Sequence, residues 1–276
     1  MAKDPVQATQ VLARRASALQ AGMTTLPLFR DGDSAIPNHL ARSSLFAPIQ
    51  RGRRPMHDNA LLATPAGGEI RYSGKQLDMA DQDVFLAVMK LAAGQDPRKP
   101  VRINRSDFLR MIGRRNGSSD YRWLDESFRR LTLGTISLHT SRINAHLSLI
   151  VSWVENSEVG DWEVVIGERI LSLFASREYA FIDLEQRMRI ERNTDLAKWL
   201  QAYACTHAPG LHRVSVDNLK TWCGNGGRLR DFRSALTEAL AELVRVGCID
   251  GFGFYGDGEM VSWTRGEVSP GEFSSG

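Results

Sequence analysis

Apolar residues recur at helical spacing in four stretches of this chain and alternate in short runs between them. The first stretch is a helix over 80–93, with Val84, Val88 and Leu91 on one face and Gly94 and Pro97 to end it. A second begins at Ser118 or Ser119 and carries Leu124, Phe128 and Leu131. A third, capped by Asn193 or Thr194, places Leu196, Leu200 and Tyr203 together and stops at Pro209-Gly210. The fourth, over 228–246, has the longest stripe: Leu229, Phe232, Leu236, Leu240 and Leu243. Alternating or short apolar runs predict strands at 69–73, at 101–103 and around Val214. Residues 135–139 and 146–153 read as a hairpin with 161–166 as a third strand, and 248–263 as a hairpin turning at Asp257-Gly258.

Outside these stretches the pattern weakens. Residues 1–22 are Ala-rich with a loose stripe (Val6, Leu12, Ala16, Leu19), either a short amphipathic helix or a tail that orders on binding. Prolines, arginines and short apolar clusters over 23–65 show no sustained period, which reads as an extended arm with embedded short motifs. The resulting boundaries are an arm at 1–65, compact units at 66–167 and 168–265, and a frayed tail at 266–276.

The two units contain a repeat. Arg102-Ile103-Asn104-Arg105-Ser106-Asp107-Phe108-Leu109-Arg110-Met111-Ile112-Gly113 aligns without a gap to Arg213-Val214-Ser215-Val216-Asp217-Asn218-Leu219-Lys220-Thr221-Trp222-Cys223-Gly224. Each is a β-type run, a polar cap (Asn104 or Ser106; Asp217), and a short helix closing on glycine. Each leads into a longer Arg-bearing helix, then a glycine (Gly134, Gly247) and an alternating strand. Strand, helix, turn, helix, hairpin is the order of a winged helix-turn-helix. The fold class predicted is α+β: two tandem winged helix-turn-helix domains preceded by a flexible N-terminal arm.

Composition narrows the class without naming it. The 276 residues are enough for one or two cored domains, and 42% hydrophobic with 24% charged is ordinary for a globular protein. There is no apolar run of about 18 residues and no evident export signal, which predicts a cytoplasmic location. Cys205, Cys223 and Cys248, odd in number and scattered, fit buried thiols better than disulfides. The net charge of +3 says little, whereas its distribution says more. Arginines cluster at 51, 53 and 54, at 114 and 115, and at 228, 230 and 233.

A DNA-reading helix buries one stripe and turns the other face, N-terminal residues first, to base edges. Arg228, Arg230, Asp231 and Ser234 lie off the Leu229/Phe232/Leu236 stripe. Arginine's planar fork matches guanine O6 and N7, so Arg228 and Arg230 are the base-reading candidates and Arg233 a phosphate contact. In the first unit Arg122 and Arg129 take that place, with Arg114, Arg115, Ser118 and Ser119 positioned for phosphate near the helix N-terminus. Arg142 and Asn144 would sit on the first wing, while Asp257 and Glu259 make the second a poor phosphate partner. Asp125, Glu126, Glu238 and Glu242 leave open an ordinary charged outer face with intrahelical pairs.

Catalytic readings fare badly. His139 and His146 lack a carboxylate-rich ligand set, and Cys205, His207 and His212 do not have zinc spacing. Gly224 to Gly227 lacks the lysine and the Ser/Thr of a phosphate-binding loop. No enzymatic activity, metal or cofactor is predicted.

The arm carries a resemblance. Ile36-Pro37-Asn38-His39-Leu40-Ala41-Arg42-Ser43-Ser44-Leu45-Phe46, followed by Arg51, Arg53 and Arg54, resembles the segment preceding the first winged helix in TrfA-type plasmid replication initiators. It continues through Ile70-Arg71-Tyr72-Ser73-Gly74 with Leu77, then Asp81 to Val88, returns at Val165 to Phe174, and covers most of 24–265. The resemblance implies a replication initiator that binds repeated origin sites (iterons) in double-stranded DNA and promotes opening. It also implies recruitment of host replication proteins, including helicase and host initiator, monomer–dimer exchange and autorepression. Such proteins carry a Gln-Leu-x-Leu-Phe sliding-clamp peptide. Thr25-Leu26-Pro27-Leu28-Phe29 matches the anchors Leu26, Leu28 and Phe29 and departs at Thr25. The same residues also fit an apolar patch docking on the protein itself. Two further readings are a winged-helix transcriptional regulator without replication activity and a scaffold whose basic faces meet protein partners.

Overall fold

The computed structural model describes residues 26, 29–49, 54–65, 67–96, 99–141, 144–156, 160–174, 178–191 and 194–266. Among these, the first unit is α2 (Met79–Ala92), β6 (Val101–Ile103), α3 (Arg105–Met111), α4 (Ser118–Leu133), β9 (Ser152–Glu155) and β10 (Trp162–Val165). The second is α7 (Asp195–Cys205), β12 (Gly210–Ser215), α8 (Val216–Trp222), α9 (Leu229–Arg245), β13 (Gly251–Tyr255) and β14 (Met260–Arg265). Both units build the same antiparallel three-stranded sheet. The strand ahead of the short helix pairs with the last hairpin strand, giving β6-β10-β9 and β12-β14-β13.

The repeat is physical as well as textual. Asn104 and Ser215 are the N-caps of α3 and α8, and each side chain accepts the backbone N–H three residues on, from Asp107 and from Asn218. Ser215, not Asp217, therefore caps the second short helix. Asp217 lies in its first turn, where a carboxylate meets the helix dipole instead. Phe108 and Leu219 occupy matching buried positions. Gly113 and Gly224 both end the turn at positive φ, +69° and +76°, where a Cβ would be strained.

Each unit has its own aromatic centre. Phe128 of α4 meets Trp162 edge-on at 5.0 Å and Phe108 at 5.9 Å. In the second unit Tyr203 stacks on Trp199 at 5.3 Å and meets Trp263 at 6.1 Å. The stripes of α4 and α9 are buried as the spacing requires, except that Leu229 is 36% exposed. It opens the helix, one turn ahead of the packed face.

The sequence pattern and the structure part company in two places. Residues 135–139 and 146–153 are not the first unit's own hairpin. β7 (Thr135–Thr140) and β8 (Asn144–Leu147) join a separate sheet with β3 (Met56–Leu62) and β4 (Gly68–Lys75), ordered β3-β4-β7-β8. The hairpin paired with β6 is the later β9–β10. Alternation identifies a half-buried strand and is silent about its partner. Gly134 shows the constraint, because a Cβ there would lie 2.5 Å from the Tyr72 hydroxyl oxygen of β4.

The second departure is the arm. Residues 33–47 are core: β1 (Asp33–Pro37), α1 (Asn38–Ala41) and β2 (Phe46–Ala47) bury Ala35, Ile36, Leu40, Ala41, Leu45 and Phe46 completely. β1 pairs antiparallel with β11 (Tyr179–Asp183), which with α5 (Glu168–Ser172) and α6 (Leu184–Arg189) leads into the second unit. β2 pairs in parallel with β5 (Leu77–Asp78) at the head of the first. Each element is two to five residues long and changes partner, so no period accumulates for a sequence to display.

Candidate nucleic-acid interface

The turn before α9 is held by Asn225, whose Oδ1 accepts the Gly227 N–H at 2.8 Å, and it hands over to Arg228 as N-cap. Arg228, Arg230 and Ser234 are exposed on the side away from Phe232, Leu236 and Leu240. The Arg230 side chain is 90% exposed, with Asp231 at 3.6 Å. Arg233 behaves differently. Its guanidinium lies over Gly258 in the hairpin turn, and its buried Nε has no hydrogen-bond partner. Half-buried, it braces the helix against the hairpin. Glu242, near the other end of α9, faces inward: it accepts the Glu191 N–H at 2.6 Å and hydrogen bonds from Nε and Nη2 of Arg245 at 2.7 and 2.5 Å.

α4 presents a mixed face. Gly117 is its N-cap, and Arg115, Ser118, Ser119, Arg122 and Arg129 are exposed. Arg129 has Asp125 at 3.7 Å. Arg114 is turned back: it stacks over the Trp123 ring at 3.3 Å and reaches Asp120 at 3.4 Å. Burial lowers its pKa from the ordinary guanidinium value, with Asp120 opposing. Arg142 lies outside the described residues, and Asn144, exposed at the start of β8, belongs to the β3-β4-β7-β8 sheet. The hairpin beside α4 carries Glu155, Asn156, Gly160 and Asp161, with Glu155 held by Arg105 at 2.9 Å.

Leu26 and Phe29 pack on the protein. Leu26 is buried beside Ala92, Val101, Ile166 and Leu171, and Phe29 meets Phe181 edge-on at 6.2 Å. Leu28 lies outside the described residues.

What the sequence pattern missed is the charge buried between the two units. Asp81, Gln82 and Asp83 sit inside α2 and are almost wholly buried. Asp81 accepts from Ser127 at 2.6 Å, Arg130 at 2.8 Å and Arg54 at 2.8 Å. Asp83 accepts from Arg187 of α6 and Lys198 of α7, each at 2.5 Å, while Gln82 accepts from Arg187 at 2.7 Å. Burial alone would raise both carboxyls. The Arg130 and Arg54 charges for Asp81, and the Lys198 and Arg187 charges for Asp83, hold them below the usual range. The neighbouring Asp78, desolvated and facing Asp81, is pushed up to about 6 against the pull of Arg54. An Asp-Gln-Asp run in an otherwise apolar helix was the available signal.

Among the described residues no group of three or more His, Cys, Asp and Glu gathers as a metal set, and no helix is long and apolar enough to cross a membrane.

A family model described as Replication initiator protein A matches residues 77–243, more than half of the chain. Domains 2 and 3 of RctB share the fold at TM-score 0.56 and 13% identity, over 84% of this chain and 98% of that one. A second RctB domain 2–3 structure gives 0.57 and 11%, over 83% and 98%. Pi initiator protein, solved in complex with iteron DNA, gives 0.52 and 16%, over 87% and 100%. No curated protein matches the chain.

Proposed function

Because this chain belongs to the Replication initiator protein A family, we propose that its two repeated units are winged helix-turn-helix domains that together read iterons of a plasmid origin. The observation that carries this reading is the doubled topology, in which the same strand order supports, each time, a long helix whose N-terminal polar face is left open. The Pi initiator, alike in fold, was solved in complex with iteron DNA, which supports the same class of ligand here. Arg228 and Arg230 read base edges from the major groove, with Ser234 alongside. Arg115, Arg122 and Arg129, with Ser118 and Ser119 at the α4 N-terminus, hold phosphate and register.

Two helices reading successive major-groove faces would cover about two helical turns, roughly 20 bp. No nucleotide hydrolysis is needed for binding or for local opening, since each extra contact on a deformed duplex offsets part of its deformation energy. Contact with a host sliding clamp through Leu26, Leu28 and Phe29 requires Leu26 and Phe29 to leave their present seats.

A plasmid maintenance test decides between initiation and repression alone. The gene supplied with the direct repeats that flank it should maintain a plasmid lacking any other origin. Binding to those repeats without maintenance would leave a DNA-binding regulator and sink the initiator reading.

A further inference from the structure

The connection between the two units is built more heavily than a linker, and it touches both at matching places. Residues 32–47 run from one unit to the other and back. Leu184 donates to the Gly32 carbonyl at 3.0 Å, and β1 pairs with β11 over five residues. Ser34 Oγ donates to the Leu86 carbonyl of α2 at 2.7 Å. Arg42 then places two hydrogen bonds on Thr206, at Oγ1 and at the carbonyl oxygen, both 2.7 Å. Trp199 Nε1 donates to the Ser43 carbonyl at 3.0 Å. One residue later the allegiance changes: Ser44 N–H bonds the Ala63 carbonyl at 3.1 Å, and Gln76 Nε2 holds the Ser44 and Leu45 carbonyls. Beneath this strap, Asp83 of the first unit is bonded to Arg187 and Lys198 of the second.

The joint reaches the turn ahead of each long helix. A Cβ on Gly224, four residues before Arg228, would lie 3.0 Å from Ser44 Cβ of the strap. A Cβ on the corresponding Gly113, ahead of α4, would lie 3.3 Å from Met188 Sδ of α6. Equivalent glycines in the two repeats, both exposed, thus each leave room for only a hydrogen beside the opposite side of the joint.

We propose that this joint is a ruler: the strap and the Asp83 cluster hold the α4 and α9 N-termini at one separation and helical phase, with Arg42 and Met188 as positioning residues. This rests on the reading of α4 and α9 as the DNA-contacting helices. A buried ion pair is weak support for stability and well suited to fixing one arrangement, because any other leaves a charge unpaired in a dry interior. Linking two modules rigidly converts the second contact into an intramolecular one, a gain of about 10²–10⁴-fold that is lost when geometry forbids both contacts.

The test uses the full chain, as wild type, Arg42→Ala and Met188→Ala. The probes are direct-repeat DNA flanking the gene and the same repeats with one to five base pairs inserted at their centre. Wild type should lose about 100-fold on insertion. In the variants the penalty should shrink to below about 10-fold, while binding to the unaltered repeat weakens. In parallel, spin labels carried by noncanonical residues at Asn116 and Thr237 report the separation without DNA: one narrow distance in wild type, a broadened one in the variants. Variants that keep the wild-type melting curve, insertion penalty and narrow distance would overturn the ruler. If wild type fails to bind the repeats, the functional reading fails, and the label distances still judge the joint. Should Met188→Ala not fold, Arg42→Lys, which keeps the charge and loses the two-point grip on Thr206, carries the same comparison.

Discussion

The two long helices, α4 and α9, are the same element in the same topology, and they spend their arginines differently. On α4, Arg130 is drawn into the Asp81 cluster, Arg129 leans on Asp125, and the preceding Arg114 is stacked on Trp123. On α9, Arg228 and Arg230 project from the first turn, Arg233 is drawn inward against the hairpin, and Arg245 at the far end is bonded to Glu242. The first helix is built into the joint and the second is built to face outward. A repeat preserves topology more strictly than it preserves the use of each side chain, and the burial of a charge decides that use.

The comparison is broken most forcefully from the core. Phe128→Ala and Phe232→Ala each remove a buried ring from one of the two long helices, and each should cost about 3–5 kcal/mol. Because residues 33–47 are shared by both units, chemical denaturation should show one cooperative transition for wild type and both variants. Two separated transitions would show that the units are thermodynamically independent.

The next effect is on DNA. Arg228→Ala with Arg230→Ala should weaken binding to the flanking repeats by about 2–6 kcal/mol and relax base preference, at roughly 1–3 kcal/mol per guanine fork. Arg122→Ala with Arg129→Ala should weaken all sequences alike and reduce the slope of log K against log salt by about 2. Gel shifts over a salt series separate the two patterns, and identical behaviour of the pairs would erase the division of labour.

A smaller and more symmetrical effect sharpens the likeness. Asn104→Ala and Ser215→Ala each delete one cap on a short helix and should each cost about 1 kcal/mol. A thermal melt in which one is silent would show that the matched caps have diverged in function.

Acid should act on His207 and Asp78 with opposite sign. His207, in the second unit, is held at about 4 by burial and the Arg42 charge, below its ordinary value of 6.5. The unfolded chain therefore takes up the proton first, so this contribution is full above pH 6.5 and is lost as pH falls towards 4. Asp78, in the first unit, is raised to about 6 from 3.8, and its protonation favours the fold as pH falls from about 6 to 3.8. Melting wild type and His207→Gln between pH 7 and pH 4.5 should show a steeper loss in wild type. Parallel curves would remove His207 as the titrating group.

Much of this was legible in the sequence, for reasons that can be named. The stripes Leu124/Phe128/Leu131 and Phe232/Leu236/Leu240/Leu243 are long enough to display a period, and their glycine ends are local chemistry. Asn104 is findable because a cap acts three residues away, whereas in the second short helix the same rule points to Asp217, two residues past the cap Ser215. The β7–β8 pairing with β4, the strap at 33–47 and the Asp83 pair with Arg187 were not findable in that way. Each depends on a partner tens to more than a hundred residues distant, and no local pattern carries that information. The exposed arginines were identifiable as cationic. Only the structure separates Arg114, stacked and desolvated, from Arg115 beside it.

The pairing of β1 with β11 also sets an order of events in the cell. Asp33 faces Asp183, so an apolar strand leaves the ribosome 150 residues ahead of the one it must join. At about 5–20 residues per second, Ala35 and Ile36 wait roughly 8–30 s for that partner. During the interval the first unit has its own aromatic centre and a strand that can rest on α2 but has no edge to pair with. Closure of this pair is therefore a late, long-range event in its synthesis, and a truncated message would release a chain with that strand still seeking an edge.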